Sequence, residues 1–134
     1  MFKRFVLYGL LGWNMEVIWT GLHSLFTGDV NMQGNTSLWM FFIYGSVVFI
    51  LEPVHRHIKN WRWPIRGMVW VILIWGIEYG TGFILRELLG VTPWYYEGRF
   101  AVDGLVRLDY GPAWCFAGFI FERVHNALDR FKIA

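Results

Sequence analysis

The feature that most constrains the fold is an apolar run from Phe5 to Leu25 whose only charged side chain, Glu16, stands near its middle. A hydrocarbon core about 30 Å thick is crossed by about 20 helical residues, so the run is long enough to span a bilayer. A second run, Ile65 to Leu85, carries Glu78 at a similar depth. Charge at that depth is costly, so such groups face a partner, a cavity or a pathway rather than lipid. The pattern predicts an all-α integral membrane protein with a polar interior.

Composition narrows the class further. Only 16% of the 134 residues are charged, against 56% hydrophobic, whereas soluble domains carry roughly 25% charged residues. Nine Trp, twelve Phe and six Tyr exceed what a core of this size needs and suit lipid-facing and interfacial positions. The length allows one domain, residues 1–134, with no separate soluble module. Basic residues flank the apolar runs and form no continuous stripe, which excludes nucleic acid as a partner. A single Cys115 rules out an internal disulfide. Lys3 and Arg4 precede the first run, but no small-residue cleavage site follows it, so it reads as a retained anchor. No internal repeat or low-complexity stretch stands out.

Four spans are expected, at about 5–25, 38–54, 65–85 and 110–125, packed as a bundle. Pro64 opens the third, where its missing N–H does no harm. The fourth is the shortest and is expected to tilt, lean on partners or thin the membrane locally. Nine of the twelve Lys and Arg lie before span one, between spans two and three, or in the last segment. The positive-inside rule then places both termini in the cytoplasm of an inner-membrane, multi-pass protein. The bias also argues against insertion in both orientations. Residues 86–109 are too long for a simple turn and predict an ordered external cap. Within it, Trp94, Tyr95 and Tyr96 read as an interfacial belt, and Asp103-Gly104 between apolar residues signals a hairpin.

Residues three and four apart share a helix face. Gly9, Gly12, Glu16 and Thr20 form one stripe of the first span. Trp75, Glu78, Thr81 and Gly82 form one of the third, where Gly76 and Gly80 add a GxxxG pair. Small residues are enriched where membrane helices approach closely, so both carboxylates are expected to point inward. Trp13, Asn14, Thr20, Trp75, Tyr79 and Thr81 complete the candidate ligand-binding set around Glu16 and Glu78. Acid and aromatic groups together suit a cation or polar solute. The competing reading makes each Glu a neutral or Arg-paired group that fixes helix register.

Other chemistry is weaker. Glu52-Pro-Val-His55 and Glu122-Arg-Val-His125 are both Glu-x-x-His, and with Glu16 and Glu78 they imitate the ligand order of di-iron bundles. Glu16 lies roughly 16 Å into its span at 1.5 Å per residue, while Glu52 and Glu122 lie at span ends, so one metal centre cannot use all four. Two interfacial Glu–His pairs beside Arg56 and Arg123 are expected instead, with no metal and no cofactor. Glu52, Arg66, Arg86 and Arg107 suit lipid head groups or ion pairs, the last two with Glu87 and Asp109 nearby. No phosphate-binding loop and no nucleophile–base signature is present, so the chain is not expected to be an enzyme.

Several motifs resemble those of the ABC-transporter type IV family, also called CmpB-like. Tyr8-Gly9, Gly12-Trp13, Glu16-Val17 and Thr20 match its opening. Ser37-Leu38-Trp39-Met40, Ile43-Tyr44-Gly45 and Glu52-Pro53 match its second span. Arg66-Gly67, Glu78-Tyr79, Thr81-Gly82, Pro93-Trp94, Tyr96, Leu108, Tyr110 and Trp114 continue the match. The resemblance implies a small multi-pass membrane protein with a permease-like role and supplies no ATPase, substrate or catalytic set. Four helices leave little room for a full pathway, so copies of the chain or other membrane subunits are expected as partners, besides the lipid bilayer. A non-transporting assembly protein is the competing function. A small multidrug exchanger also uses four spans and a first-span Glu, but the charge bias and the cap speak against it.

Overall fold

A computed structural model describes all residues, 1–134, and the chain is mostly helical. Five helices follow in order: α1 (Phe2–Phe26), α2 (Leu38–Gly45), α3 (Val47–Ile58), α4 (Trp63–Leu89) and α5 (Gly111–Arg130). A short hairpin, β1 (Ala101–Val102) with β2 (Val106–Arg107), lies between α4 and α5. α2 and α3 form one 21-residue rod, Leu38–Ile58, interrupted only at Ser46. The Ser46 hydroxyl donates to the Ile43 carbonyl at 2.6 Å, a local bond that competes with regular helix hydrogen bonding. The rod and α4 are long and apolar enough to cross a membrane. α1 is diluted by Asn14, Glu16, Thr20 and His23, and α5 by Glu122, Arg123, His125 and Asp129.

The exposure pattern is that of helices facing lipid. In the most apolar window of α4 only 17% of residues are buried, whereas the central helix of a soluble domain is mostly covered. Phe26, Ile72, Leu88 and Phe116 are each more than half exposed.

The chain divides into two compact units, residues 1–52 with 132–134, and residues 53–131. In the first, α1 packs on α2. Glycines make the contact possible: a Cβ at Gly9 would lie 2.7 Å from the Phe41 carbonyl oxygen, and one at Gly12 would collide with the Tyr44 ring. Phe5 meets Phe41 edge-on at 6.0 Å between centroids. Ser37 caps α2 by accepting from the Trp39 N–H. The connecting loop is pinned to α1, because Asn35 N–H donates to the Thr20 hydroxyl at 2.8 Å.

In the second unit Pro64 starts α4, and Gly90, at φ 65°, ends it in the left-handed conformation glycine tolerates. α5 packs on α4 where Gly118 receives the Trp70 side chain and Gly67 receives Cys115; Trp70 is fully buried. The Asp103-Gly104 turn has both residues at positive φ, as a two-residue hairpin turn requires. Its tip docks on α4: the Tyr79 hydroxyl donates to Asp103 Oδ2 at 2.7 Å, and Arg86 donates to the Asp103 carbonyl at 3.0 Å. The expected aromatic belt is corrected here. Trp94 lies against Gly82 and donates to the Leu105 carbonyl at 3.0 Å, and Tyr96 turns inward, leaving only Tyr95 well exposed.

The GxxxG expectation is corrected too. Nothing lies within 4 Å of a Cβ built on Gly76 or Gly80. At 3.6 residues per turn both fall on the side of α4 opposite Gly67, Trp70, Gly82 and Leu85, the residues it buries. Gly76→Ala and Gly80→Ala should therefore leave the melting temperature of the purified chain equal or higher, since alanine gains about 0.5–1 kcal/mol in a helix. A clear drop would show that another chain covers this face.

Candidate functional site

Two kinds of carboxylate cluster emerge, one in the two Glu-x-x-His segments and one within the apolar runs. In the Glu-x-x-His segments, Glu52 and Glu122 are each clasped by an arginine and an aromatic donor from the preceding long helix. In the first unit Arg4 donates to Glu52 Oε1 at 2.8 Å and the Tyr8 hydroxyl to the same oxygen at 2.9 Å. Arg4 Nε also donates to the Ile133 carbonyl at 2.6 Å. In the second, Arg66 grips both oxygens of Glu122, at 2.9 and 3.1 Å, while Trp70 Nε1 donates to Oε1 at 2.8 Å. Bidentate, charge-assisted bonds of this kind are among the stronger polar contacts. Both glutamates are buried, at 4% and 7% exposure.

The expected Glu–His pairs beside Arg56 and Arg123 are thereby corrected. Both arginines lie exposed, whereas Glu52, His55, Glu122 and His125 are buried, and the guanidinium partners come from Arg4 and Arg66 instead. His55 Nδ1 stands 3.9 Å from Glu122 Oε1, and the His55 and His125 rings approach to 4.8 Å. No group of three or more His, Cys, Asp or Glu converges closely enough to hold a metal ion.

Within the runs, Glu16 and Glu78 lie in different units, each with its own phenol. Tyr44 on α2 hydrogen-bonds Glu16 on α1, and Glu16 Oε2 is buried without a hydrogen-bond partner. The Tyr96 hydroxyl donates to Glu78 Oε1 at 2.9 Å. Glu16 falls on the α1 face that carries Phe5, Gly9 and Gly12, the face packed against α2. Glu78 falls on the face of α4 that carries Gly67, Gly82 and Leu85.

The other expected ligand residues divide. Trp75 lies against Gly111 with its indole N–H buried and unpartnered, as is that of Trp114. Trp13 is consumed by a bond to the Ser37 carbonyl at 3.1 Å. Thr20 lies 3.0 Å from the Asn35 carbonyl, and Thr81 donates to the Ile77 carbonyl at 2.6 Å. Asn14 is exposed and donates to its own helix at Leu10, on the side of α1 away from α2. Tyr79 is exposed and serves the hairpin. Asn14 and Tyr79 therefore lie off the faces that carry Glu16 and Glu78.

Arg86 and Arg107 are engaged within the chain. Arg86 pairs with Glu87 at 3.2 Å. Arg107 grips both oxygens of Asp109 at 2.8 and 3.0 Å, and that hydrogen-bonded carboxylate holds the guanidinium above its usual value. Reading the sequence missed Arg4, Tyr8, Trp70, Tyr44 and Tyr96. Arg4 enters the sequence reading only as a topology charge and Tyr96 only in the belt and the family motifs, whereas Glu52 and Arg66 are candidates there for head groups or ion pairs. A usable signal was the four-residue spacing from Arg4 to Tyr8 and from Arg66 to Trp70, each ahead of a Glu-x-x-His.

Two membrane-length apolar helices, outward-facing hydrophobic surface and carboxylates set within apolar runs define a membrane protein. No solved structure matches the chain. It belongs to the family described as "Putative ABC-transporter type IV", whose sequence profile matches residues 4–132. That family is consistent with a role in membrane transport.

Proposed function

We propose that the chain is a non-enzymatic, membrane-embedded component of a transport assembly, with Glu16 and Glu78 as the groups that meet a cation, a proton or a polar solute. In this reading α1, the α2–α3 rod, α4 and α5 all span the inner membrane as a bundle, both termini are cytoplasmic, and the hairpin segment lies outside. Additional helices come from further copies or other subunits, since four helices enclose little space. The observation that carries the reading is Glu16 Oε2. It is a buried carboxylate oxygen within an apolar helix that no protein donor satisfies, and such a group costs free energy unless something else meets it.

The test uses vesicles containing the full chain and a pH-sensitive dye, with a potassium gradient imposing the driving potential. Proton entry should fall to background in Glu16→Gln, while the melting temperature of the variant stays at that of the parent. Undiminished entry with both Glu16 and Glu78 changed to Gln rejects the reading.

A non-transporting assembly protein is favoured by one specific observation: each glutamate already accepts a tyrosine hydroxyl within its own unit. It predicts that Glu→Gln lowers stability or recovery of partner subunits and leaves no flux to lose.

A further inference from the structure

The two halves of the sequence, 1–60 and 63–130, repeat one another, which corrects the expectation that the chain lacks an internal repeat. Arg66, Trp70, Trp75 and Glu78 on α4 keep the spacings of Arg4, Tyr8, Trp13 and Glu16 on α1. Residues 49–55 and 119–125 read Phe-Ile-Leu-Glu-Pro-Val-His and Phe-Ile-Phe-Glu-Arg-Val-His, identical at five of seven positions. Residues 51–60 and 121–130 follow the same order of buried, part-buried and exposed positions throughout.

Apolar helices share letters by composition alone, but the polar chemistry here coincides as well. In both units an arginine and the aromatic residue four places on from it converge on the Oε1 atom of the glutamate in the Glu-x-x-His segment. Different connectors hide the repeat. A short loop joins α1 to α2, whereas α4 and α5 are separated by the longer segment holding the hairpin.

The correspondence sets Glu78 opposite Glu16 and Trp114 opposite Tyr44. Tyr44 supplies the hydroxyl that Glu16 accepts, and tryptophan has none to give. In the second unit the phenol arrives from the longer connector instead, as Tyr96. Two tyrosines from unrelated elements thus deliver the same donor to equivalent carboxylates, which singles out the phenol–carboxylate pair as the working unit.

We infer that the chain carries two copies of one phenol–carboxylate site for a monovalent cation or proton, Glu16 with Tyr44 and Glu78 with Tyr96. The inference rests on the proposed function and narrows its ligand. One carboxylate and one neutral phenol offer a single negative charge and few oxygens. Calcium takes six to eight oxygen ligands, and magnesium an octahedral shell, so neither divalent ion suits the site.

The full chain in lipid vesicles is treated with N,N′-dicyclohexylcarbodiimide. This reagent adds a protonated carboxyl group across its C=N bond and is retained after rearrangement to the N-acylurea. Peptide mass spectrometry should find adducts at Glu16 and at Glu78. Glu52 and Glu122, whose oxygens are occupied by guanidinium groups, should carry none. In Glu16→Gln the Glu78 adduct should persist undiminished. An adduct at only one of the two glutamates overturns the duplicated site and leaves the proposed function standing for that one. No adduct at either, in protein whose melting temperature shows it folded, overturns both. Labelling of Glu52 or Glu122 to the same extent removes the distinction between clasp and site on which the inference depends.

Discussion

Replacing Arg66 by Met should destabilise the detergent-solubilised chain by about 3–5 kcal/mol, the usual consequence of removing one partner of a buried ion pair. Denaturant unfolding followed by tryptophan fluorescence measures it. The guanidinium supplies two of the donors to Glu122, and its loss leaves that carboxylate, 7% exposed, with Trp70 as its remaining hydrogen-bond donor of that trio. Arg4→Met should act alike in the first unit, where the pair's side chains are 12% and 5% exposed. The double variant Arg66→Met, Glu122→Leu should recover most of the loss, because deleting both charges also deletes the desolvation cost. A harmless single variant would mean the pair is screened like an exposed surface bridge. A double variant as damaged as the single would mean that shape, rather than charge, governs the cluster.

The second large effect is expected at Gly118. A Cβ there would run into the Trp70 side chain, which is fully buried and has no room to yield. Gly118→Leu must therefore separate α4 from α5 or tip the indole. Overpacking of this kind typically costs about 1–3 kcal/mol. Tipping Trp70 also takes its N–H from Glu122, adding about 1–3 kcal/mol for a buried group left unsatisfied. The variant should not accumulate as folded protein by size-exclusion chromatography in mild detergent. Gly12→Leu should fail similarly against Tyr44. Gly76→Leu, on a face with nothing within 4 Å, is the control and should purify normally; if all three behave alike, the packing assigned to Gly12 and Gly118 is wrong.

Helices were legible where apolar length and local punctuation agree. Pro64 marks a boundary by a rule that needs no tertiary contact, and Asp103-Gly104 announced its turn for the same reason. The helical positions of Glu16 and Glu78 also followed from periodicity, since a face is fixed by spacing alone. Their donors did not. Tyr44 reaches Glu16 across a helix pair, and Tyr96 reaches Glu78 only because the hairpin folds back on α4, and neither distance is written in sequence separation. The clasps were legible only in part. Glu52 and Arg66 suit ion pairs by residue type, but their partners, Arg4 and Glu122, lie 48 and 56 residues away, and the charge of Arg4 fits the flanking bias of a membrane segment without the buried glutamate it holds. Asn14 and Tyr79 were drawn in by closeness along the chain, although one residue of helix turns a side chain by more than a quarter circle.

The hairpin's attachment makes the two phenol–carboxylate pairs mechanically unlike. Tyr96 sits on a segment held to α4 by the Asp103 hydrogen bonds and by Trp94 packed on Gly82, so donor and acceptor travel together when that helix shifts as a rigid rod. Tyr44 and Glu16 belong to separate helices, and any sliding of α1 along α2 stretches their bond directly. A shift of α1 along α2 would therefore lengthen the first bond, while a rigid shift of α4 would leave the second unchanged.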